Sequence, residues 1–309
     1  MKPSILVGGQ AVIEGVMMRV PDAYATVVRD PEGIIHVNRK LFQSVKERSR
    51  LWRKPIFRGM VSIFEAMRMG IATLQWSADI AMPEEEEKNK IAELFSTIFS
   101  IWIAIMLFMI APMWITAKFM NIEKEALWFN LVSGAFRIMF FVSYLLIISL
   151  LKDVRCLFQY HGAEHQVVYN FESGNDITVE NTQSFPTQHQ RCGTSFLFIV
   201  FLSTILVFAL VDTIVIYFLG TIPLPIRILF HLPMIPFVTG VGFELIKLSV
   251  RSDSLFFNLL KKSGLWLQKI TTKHPEENMV EVSITALKEA LGDMYEDMAG
   301  KEYTAEAIG

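Results

Sequence analysis

The chain has 309 residues, of which 52% are hydrophobic, and its mean hydropathy is positive at +0.38. With 24 Phe and 16 Met, this composition lies outside that of ordinary soluble domains and indicates a membrane protein. The net charge of −2 argues against bulk binding to a polyanion, so we expect no nucleic-acid partner.

The N-terminal region, residues 1–92, is predicted to be a small α/β element. Residues 23–29 and 34–39 are rich in β-branched side chains and flank the turn sequence DPEG, a pattern typical of a β-hairpin. The preceding run GGQAVIEGVMMR at 8–19 indicates a strand with turn glycines. An amphipathic helix follows, which either lies in the membrane interface or packs on the hairpin. Its apolar stripe consists of Met60, Ile63, Phe64, Met67, Ile71 and Leu74.

Four segments are long and apolar enough to cross a bilayer, whose ~30 Å core requires about 20 helical residues. Three are regular and cover residues 94–117, 128–151 and 195–219. The fourth lies within 222–250, where four prolines, Pro223, Pro225, Pro233 and Pro236, interrupt the first half. Because proline breaks helices, we expect a broken entry followed by a regular helix from about Met234. The two transmembrane hairpins therefore occupy residues 93–151 and 195–250.

Basic residues determine the predicted orientation. They crowd the first 90 residues and the tail after the fourth span, whereas the connectors at 118–127 and 220–222 carry few. The positive-inside rule then predicts cytoplasmic N- and C-termini, with the loop at 152–194 on the same side. No signal peptide is recognisable in residues 1–20. The acidic run at 84–87 is expected to be a solvated linker or a helix start.

The C-terminal region, residues 251–309, is predicted to be a helical cytoplasmic cap. Ser252 or Asp253 can cap a helix that runs to about Lys269. A second helix follows Pro275. Its apolar face consists of Val280, Ile284, Leu287 and Leu291.

The segment YHGAEH at 160–165 carries the clearest chemical signal in the chain. His161 and His165 are four residues apart and project from one helical face, with Glu164 between them. The order H-x-x-E-H inverts the H-E-x-x-H of zinc proteases and occurs in one class of metal-dependent hydrolases. Downstream, His189 and Cys192 offer two further ligands. The set predicts a divalent metal, and its imidazole and thiol groups indicate zinc.

These residues also have structural interpretations. The two histidines can contact lipid headgroups or cap a helix, and Cys192 can be a small buried residue. Cys156 lies off their helical face and is expected to be structural. Both cysteines are expected to be reduced thiols, because the region is predicted to be cytoplasmic.

Charged residues inside the predicted spans need partners, because isolated charge in hydrocarbon is costly. Asp212 is expected to pair with Arg137 or with Arg227, and the alternative is a polar path for a proton, an ion or a headgroup. Glu244 lies near the cytoplasmic end of the fourth span, where it can reach the segment that carries His161.

Four collinear motifs give the chain a resemblance to a known family. They are GGQAVIEGVMMR at 8–19, YHGAEH at 160–165, RCGTSF at 191–196 and GLWLQKITT at 264–272. In these motifs, and over nearly its whole length, the chain resembles the YqhQ-like family of uncharacterised bacterial membrane proteins. The resemblance implies a predicted metal-dependent enzyme of the bacterial inner membrane whose reaction is unknown. It also makes His161, Glu164, His165 and the RCG segment signature positions.

The residues together favour a membrane-embedded metal-dependent enzyme, hydrolytic, at the cytoplasmic membrane surface. In this hypothesis His161, His165 and either His189 or Cys192 hold the ion, whose bound water is acidified toward a pKa of ~7. Glu164 is the general base. The substrate is a lipid, a lipid-linked intermediate or a membrane-protein segment. Two alternatives stay open, a non-enzymatic scaffold or biogenesis factor with a structural metal site and a small carrier that uses the intramembrane charges.

Overall fold

A computed structural model describes residues 4–82, 90–252 and 254–305. The acidic run at 84–87 and the candidate cap Asp253 lie outside these ranges. The described residues are mainly helical, with a small N-terminal sheet, four long apolar helices and further helices at the C-terminus. This arrangement confirms the predicted fold class.

The N-terminal sheet contains four antiparallel strands in sequential order. A two-residue strand, β1 (Ser4–Ile5), precedes them, and they are β2 (Gly8–Val12), β3 (Gly15–Arg19), β4 (Ala23–Arg29) and β5 (Ile35–Leu41). The predicted hairpin is β4–β5, and its turn ends at Gly33 with φ of +88°. The run at 8–19 forms a second hairpin. In its turn Glu14 has φ of +48°, which is uncommon for a residue with a side chain.

Twelve helices follow in the part of the chain that the structure describes. They are α1 (Phe57–Ala81), α2 (Lys90–Ile105), α3 (Ala111–Met120), α4 (Ala126–Ile148), α5 (Lys152–Ser173), α6 (Val179–Gln183), α7 (Gly193–Leu219), α8 (Leu224–His231), α9 (Ile235–Arg251), α10 (Leu255–Thr271), α11 (Glu277–Leu291) and α12 (Tyr295–Met298). A π turn, Met106–Ile110, joins α2 to α3, and short 3-10 turns occur at Val45–Arg48, Leu232–Met234 and Gly292–Met294. A last strand, β6 (Thr304–Ala305), pairs with β1 in parallel.

The four predicted spans correspond to four helical stretches that are long and apolar enough to cross a membrane. These are Leu94–Met120, Ala126–Ile148, Gly193–Leu219 and Leu224–Ser249. The fourth is broken as predicted, because the turn Leu232–Met234 separates α8 from α9. Pro225 and Pro236 lie in the first turns of these two helices, where a missing N–H removes no helical hydrogen bond.

Asp212, in the third span, is buried and pairs with Arg227 rather than with Arg137. Its carboxylate lies 3.1 Å from Arg227 Nε, 2.8 Å from His231 Nε2 and 2.7 Å from the amide nitrogen of Asn130. Arg137 instead donates to a carbonyl of the π turn, 2.9 Å away. Of the two pairs that the sequence left open, the structure therefore forms the one with Arg227.

The sheet, α5 and α11, all outside the candidate spans, share a hydrophobic core. The N-terminal sheet packs on α5 and α11, so residues from both ends and the middle of the chain meet. The predicted apolar face of α11 is buried in this core. Core members include Val16, Met18, Ala25, Val27, Ala163, Val167, Val280, Ile284, Leu287 and Leu291.

Helix α1 buries its small and polar face and exposes its apolar stripe. The buried residues face the sheet and α9, and they are Gly59, Ser62, Glu65, Met69, Thr73 and Ser77. In the predicted stripe, Phe64 is 69% exposed, Met67 60%, Ile71 56% and Leu74 43%. The helix therefore packs on the sheet through a different face from the predicted apolar stripe, and an interfacial position of that stripe stays a prediction.

Three expectations differ from the structure. The segment 152–194, expected as a loop, is largely helical because a separate helix, α5, occupies 22 of its residues. Glu244 does not reach the His161 segment, because its carboxylate pairs with Arg58, whose Nε lies 2.7 Å from Oε1. The cap of α10 is Ser254 and not Ser252, since the Ser254 hydroxyl accepts from a backbone N–H of the first turn.

Candidate metal centre

His161, His165 and Cys192 lie together in a buried site. Each offers a ligand atom within 4.8 Å of the others. The two imidazoles are one turn apart on α5, with ring centroids 4.5 Å apart. Cys192 is the N-cap residue of α7, and its Sγ lies 3.2 Å from His161 Nε2. Tetrahedral zinc sites hold nitrogen and sulfur ligands at about 2.0–2.3 Å, so neighbouring ligand atoms at this spacing can share one ion.

Backbone carbonyls orient both histidines. His161 Nδ1 lies 2.8 Å from the carbonyl oxygen of Thr271, and His165 Nδ1 lies 2.6 Å from that of Thr187. Because a carbonyl only accepts, each Nδ1 carries the hydrogen. Each Nε2 is then left to face Cys192 and the interior of the site. Histidines that bind metals are held in the same way, with the second ring nitrogen donating to a carbonyl or a carboxylate.

The motif at 264–272 positions the segment that carries Cys192. Gln268 is fully buried, and its Oε1 accepts from the backbone N–H of His189 at 2.7 Å. Its Nε2 donates to the carbonyl of His189 and to the Ser195 hydroxyl, both at 2.8 Å. Gly264 allows α10 to approach α7 closely, since a Cβ there would lie 2.4 Å from Ser195 Oγ.

The glycine of YHGAEH has a similar role on α5. A Cβ at Gly162 would lie 2.1 Å from the carbonyl oxygen of Lys273. Close packing of α5 on the chain that follows α10 is therefore possible only without a side chain at this position. This contact brings the Thr271 carbonyl within reach of His161.

Glu164 connects the sheet to the site. It is 4% exposed, and its Oε2 lies 3.4 Å from His165 Nε2. The backbone N–H of Gly9 donates to its carboxylate. A Cβ at Gly9 would lie 2.2 Å from the carbonyl oxygen of Met17 and 3.1 Å from Glu164 Cγ, so strand β2 needs glycine here. All four sequence motifs therefore meet at one site.

The three groups next to one another have shifted protonation equilibria. Burial opposes ionisation of Cys192, but His161 and His165 outweigh it and hold the pKa of the thiol well below its usual range. Burial acts to lower the pKa of His161, yet the Cys192 thiolate raises it to about 9. Burial raises the pKa of Glu164, and the two histidines offset only part of that effect. Without an ion, the site therefore holds a thiolate beside an imidazolium.

His189 lies beside the three clustered ligands, at the edge of the site. Its ring centroid is 5.6 Å from that of His165, and its Nδ1 accepts from the backbone N–H of Arg191 at 3.4 Å. Burial lowers its pKa to about 2, and Arg191 and His165 add to this effect. Arg191 in turn forms an ion pair with Glu172. Of the two downstream ligand candidates, the structure brings Cys192 to the histidine pair and leaves His189 adjacent.

The orienting groups were not predicted from the sequence. The Thr187 and Thr271 carbonyls, the Gln268 amide and the Gly9 N–H all act on the site, and only the motifs at 8–19 and 264–272 gave a signal for any of them. Cys156 lies off the site as expected, with its Sγ 3.2 Å from a Glu14 carboxylate oxygen.

A cavity of about 510 Å³ opens from the site toward the spans. One end is lined by His161, Glu164, His165 and Cys192. Another part of the lining comes from α1, α7 and α9 and is mainly apolar. The lining residues there include Ile63, Ala66, Met67, Phe196, Val200 and Phe243. A molecule in this cavity would contact polar donors and hydrocarbon side chains together.

The fold and the site define a mainly helical protein with four candidate membrane spans and a buried His/Cys centre in the part of the chain that packs on the N-terminal sheet. A family profile described as "Protein of unknown function (DUF1385)" matches residues 54–293, and the chain belongs to this family. It is 31% identical over 300 residues to the uncharacterized protein YqhQ of Bacillus subtilis (strain 168), with 92% of each chain covered. These matches confirm the YqhQ-like resemblance. No solved structure matches the chain.

Proposed function

We propose that the protein is a membrane-embedded, metal-dependent hydrolase. One observation carries this proposal. His161 and His165 are both fixed through Nδ1 by backbone carbonyls, and this leaves Nε2 of each ring facing Cys192 Sγ. The donor set of two imidazoles and one thiolate fits zinc, and such a set leaves a position for water or substrate. When bound, the ion supplies a Lewis acid that polarises a substrate oxygen and lowers the pKa of water.

Glu164 is the general base in this proposal. It is buried next to His165, and its pKa is raised by burial, which brings proton exchange closer to neutral pH. The Gly9 N–H holds its carboxylate in place. Glu164 takes a proton from the attacking water and returns it to the leaving group, and the buried site excludes bulk solvent from both transfers.

The site faces the cytoplasm of a bacterial inner membrane in this proposal, together with both termini. Basic residues on the flanking segments support this orientation. Cysteine labelling in intact cells tests it, in a background without Cys156 and Cys192. A probe at Asn175 should react only after permeabilisation, whereas a control probe at Thr221, in the connector after the third span, should react from outside.

The test of the metal centre is metal content of the purified full chain. One divalent ion per chain should copurify, and His161→Ala and His165→Ala should each remove most of it. His274→Ala is the matched control, because the His274 side chain is exposed and is not one of the clustered ligands. Glu164→Gln should retain the ion if Glu164 is a base and not a ligand. A wild-type chain that neither contains zinc nor takes it up on reconstitution would exclude the metal-dependent reaction.

A second candidate function is nucleophilic catalysis by Cys192 without metal. The 3.2 Å contact to His161 and the position at the N-terminus of α7 favour it, because both stabilise a thiolate. Cys192→His distinguishes the two functions, since histidine can replace a thiolate as a zinc ligand but is not a thiol nucleophile. Retained zinc and retained activity in this variant support the metal enzyme, whereas alkylation of Cys192 at neutral pH in zinc-saturated protein supports the thiol.

A scaffold with a structural metal site requires a fourth protein ligand. Among the described residues, His189 and Glu164 are the nearest candidates, and His189 instead accepts from the backbone N–H of Arg191. A four-ligand coordination shell in X-ray absorption of the zinc-loaded chain would favour the scaffold over the enzyme.

A further inference from the structure

The cavity beside the metal centre contains a cation that the proposed reaction does not use. Arg19, the last residue of β3, lines the same cavity as His161 and Glu164. Its Nε is buried and has no hydrogen-bond partner among the described residues. Its guanidinium carbon lies 4.4 Å from the centroid of the Phe42 ring, so an aromatic face holds it in place.

The nearest acid does not neutralise Arg19 directly. Glu65 acts on it electrostatically, but the Glu65 carboxylate accepts hydrogen bonds from the Ser44 hydroxyl and from the Val45 N–H, the latter at 2.6 Å. Burial lowers the pKa of Arg19, and the charge of Glu65 opposes this effect. Lys46 does not line the cavity, but its Nζ donates at 3.0 Å to the hydroxyl of Ser62, which does, so a second cation lies behind the cavity wall. An anion inside the cavity would therefore find charge complementarity.

The cavity also has apolar lining residues, and these continue into an exposed apolar surface. Ile63 and Met67 of α1 line the cavity, and Met67 also belongs to the exposed apolar stripe of that helix. Phe196 and Val200 of the third span and Phe243 of the fourth complete the apolar wall. A hydrocarbon chain entering from the bilayer beside α1 would thus remain in contact with apolar side chains up to the metal centre.

We propose that the cavity binds an anionic phospholipid, with its phosphate at Arg19 and one acyl chain against α1, α7 and α9. The inference rests on the proposed hydrolase and names its substrate class. Strand pairing brings the phosphate site next to the base, because Arg19 pairs with Gly8, and the adjacent Gly9 donates its N–H to Glu164. The bond to be hydrolysed then lies near the headgroup and not along the chain.

The test measures lipid retention by the purified full chain in detergent micelles, with mixed phosphatidylglycerol and phosphatidylcholine quantified by mass spectrometry. Wild-type protein should retain phosphatidylglycerol preferentially. Arg19→Gln should lower its affinity about tenfold, the size expected for one charge-assisted contact, and Arg19→Lys should restore part of it. Arg39→Gln is the matched control, because Arg39 is an exposed cation on β5 outside the cavity. Ala66→Trp, which fills the apolar wall, should weaken retention of both lipids.

Inorganic phosphate separates a lipid site from a simple anion site. Inorganic phosphate at the same concentration should not displace phosphatidylglycerol. If phosphate competes as well as the lipid does, the acyl-chain part of the proposal is overturned. An unchanged lipid preference in Arg19→Gln would overturn the headgroup part. Zinc content is measured on every sample. If the wild-type chain contains zinc but shows no lipid preference, the lipid-binding inference is rejected and the metal centre is unaffected. If it shows the lipid preference but contains no zinc, the metal-dependent reaction is rejected and the lipid site remains.

Discussion

Cys192 Sγ lies 3.2 Å from His161 Nε2, and this contact joins the start of the third span to the middle of α5. The thiolate and the imidazolium stabilise each other in the absence of an ion. A zinc ion needs both groups without their protons. Because the pKa of Cys192 is low and that of His161 is raised to about 9, only the proton on His161 has to leave near neutral pH.

Zinc binding should therefore release one proton per ion, and apparent affinity should rise with pH. Below the raised pKa of His161, each unit of pH should increase affinity about tenfold. Chelator-competition titrations between pH 6 and 8 measure this slope. Cys192→Ser removes the thiolate that raises the His161 pKa, so the slope should flatten toward the alkaline end. An affinity that is constant over this range would contradict the thiolate–imidazolium pair.

Gln268 is predicted to be a positioning residue for the metal centre. Gln268→Leu leaves the His189 backbone groups and the Ser195 hydroxyl without their buried partners, so we expect a loss of about 1–3 kcal/mol in the free energy of unfolding. Zinc affinity should fall about 10–100-fold, as for other outer-shell groups. Gln159→Leu is the control, because its amide makes an exposed hydrogen bond to the His274 carbonyl. Thermal unfolding and zinc titration of both variants check the prediction, and equal effects would contradict it.

The spans were predictable because hydropathy and proline act locally. A bilayer imposes a length, and Pro233 and Pro236 break the fourth span wherever it packs. The His161 and His165 pair was also predictable, since helical periodicity alone brings residues four apart to one face. The placement of His189 was not. It lies in an irregular segment after α6, where spacing from Cys192 does not determine the direction of a side chain.

Contacts with distant segments of the chain account for the remaining differences between the sequence-based predictions and the structure. The sequence allowed Asp212 to pair with either arginine, and only the packing of α8 against α7 selected Arg227. Glu244 was expected to reach the segment that carries His161, but its carboxylate pairs with Arg58, 186 residues earlier. The carbonyls of Thr187 and Thr271 are backbone groups, so no side-chain pattern indicates them.

Gly9 and Gly8 provide a matched pair of adjacent glycines on β2. A Cβ at Gly9 would lie 2.2 Å from the Met17 carbonyl oxygen, whereas a Cβ at Gly8 would have no atom within 4 Å. Gly9→Ala should therefore shift β2 away from Glu164 and destabilise the fold by about 1–3 kcal/mol. Gly8→Ala should leave stability within about 0.5 kcal/mol of wild type. Thermal melting in detergent measures both. Similar melting temperatures for the two variants would mean that β2 does not approach Glu164 as closely as described.

The buried pair of Asp212 and Arg227 should show strong energetic coupling. Asp212→Asn leaves Arg227 and His231 without their anion, so we expect a loss of about 3–5 kcal/mol in unfolding free energy. Arg227→Met in the Asp212→Asn background should recover part of that loss. Arg137→Met is the control, because Arg137 bonds to a backbone carbonyl and to the Thr204 hydroxyl.

Double-mutant cycles distinguish the two arginines. The cycle with Arg227 should give an interaction energy of about 1 kcal/mol or more, whereas the cycle with Arg137 should be additive within about 0.5 kcal/mol. Chemical or thermal unfolding of all six chains in one detergent supplies both cycles. Additivity in the Arg227 cycle would show that the two groups do not interact in the folded protein, and Asp212 would then be left with His231 and Asn130 as its partners.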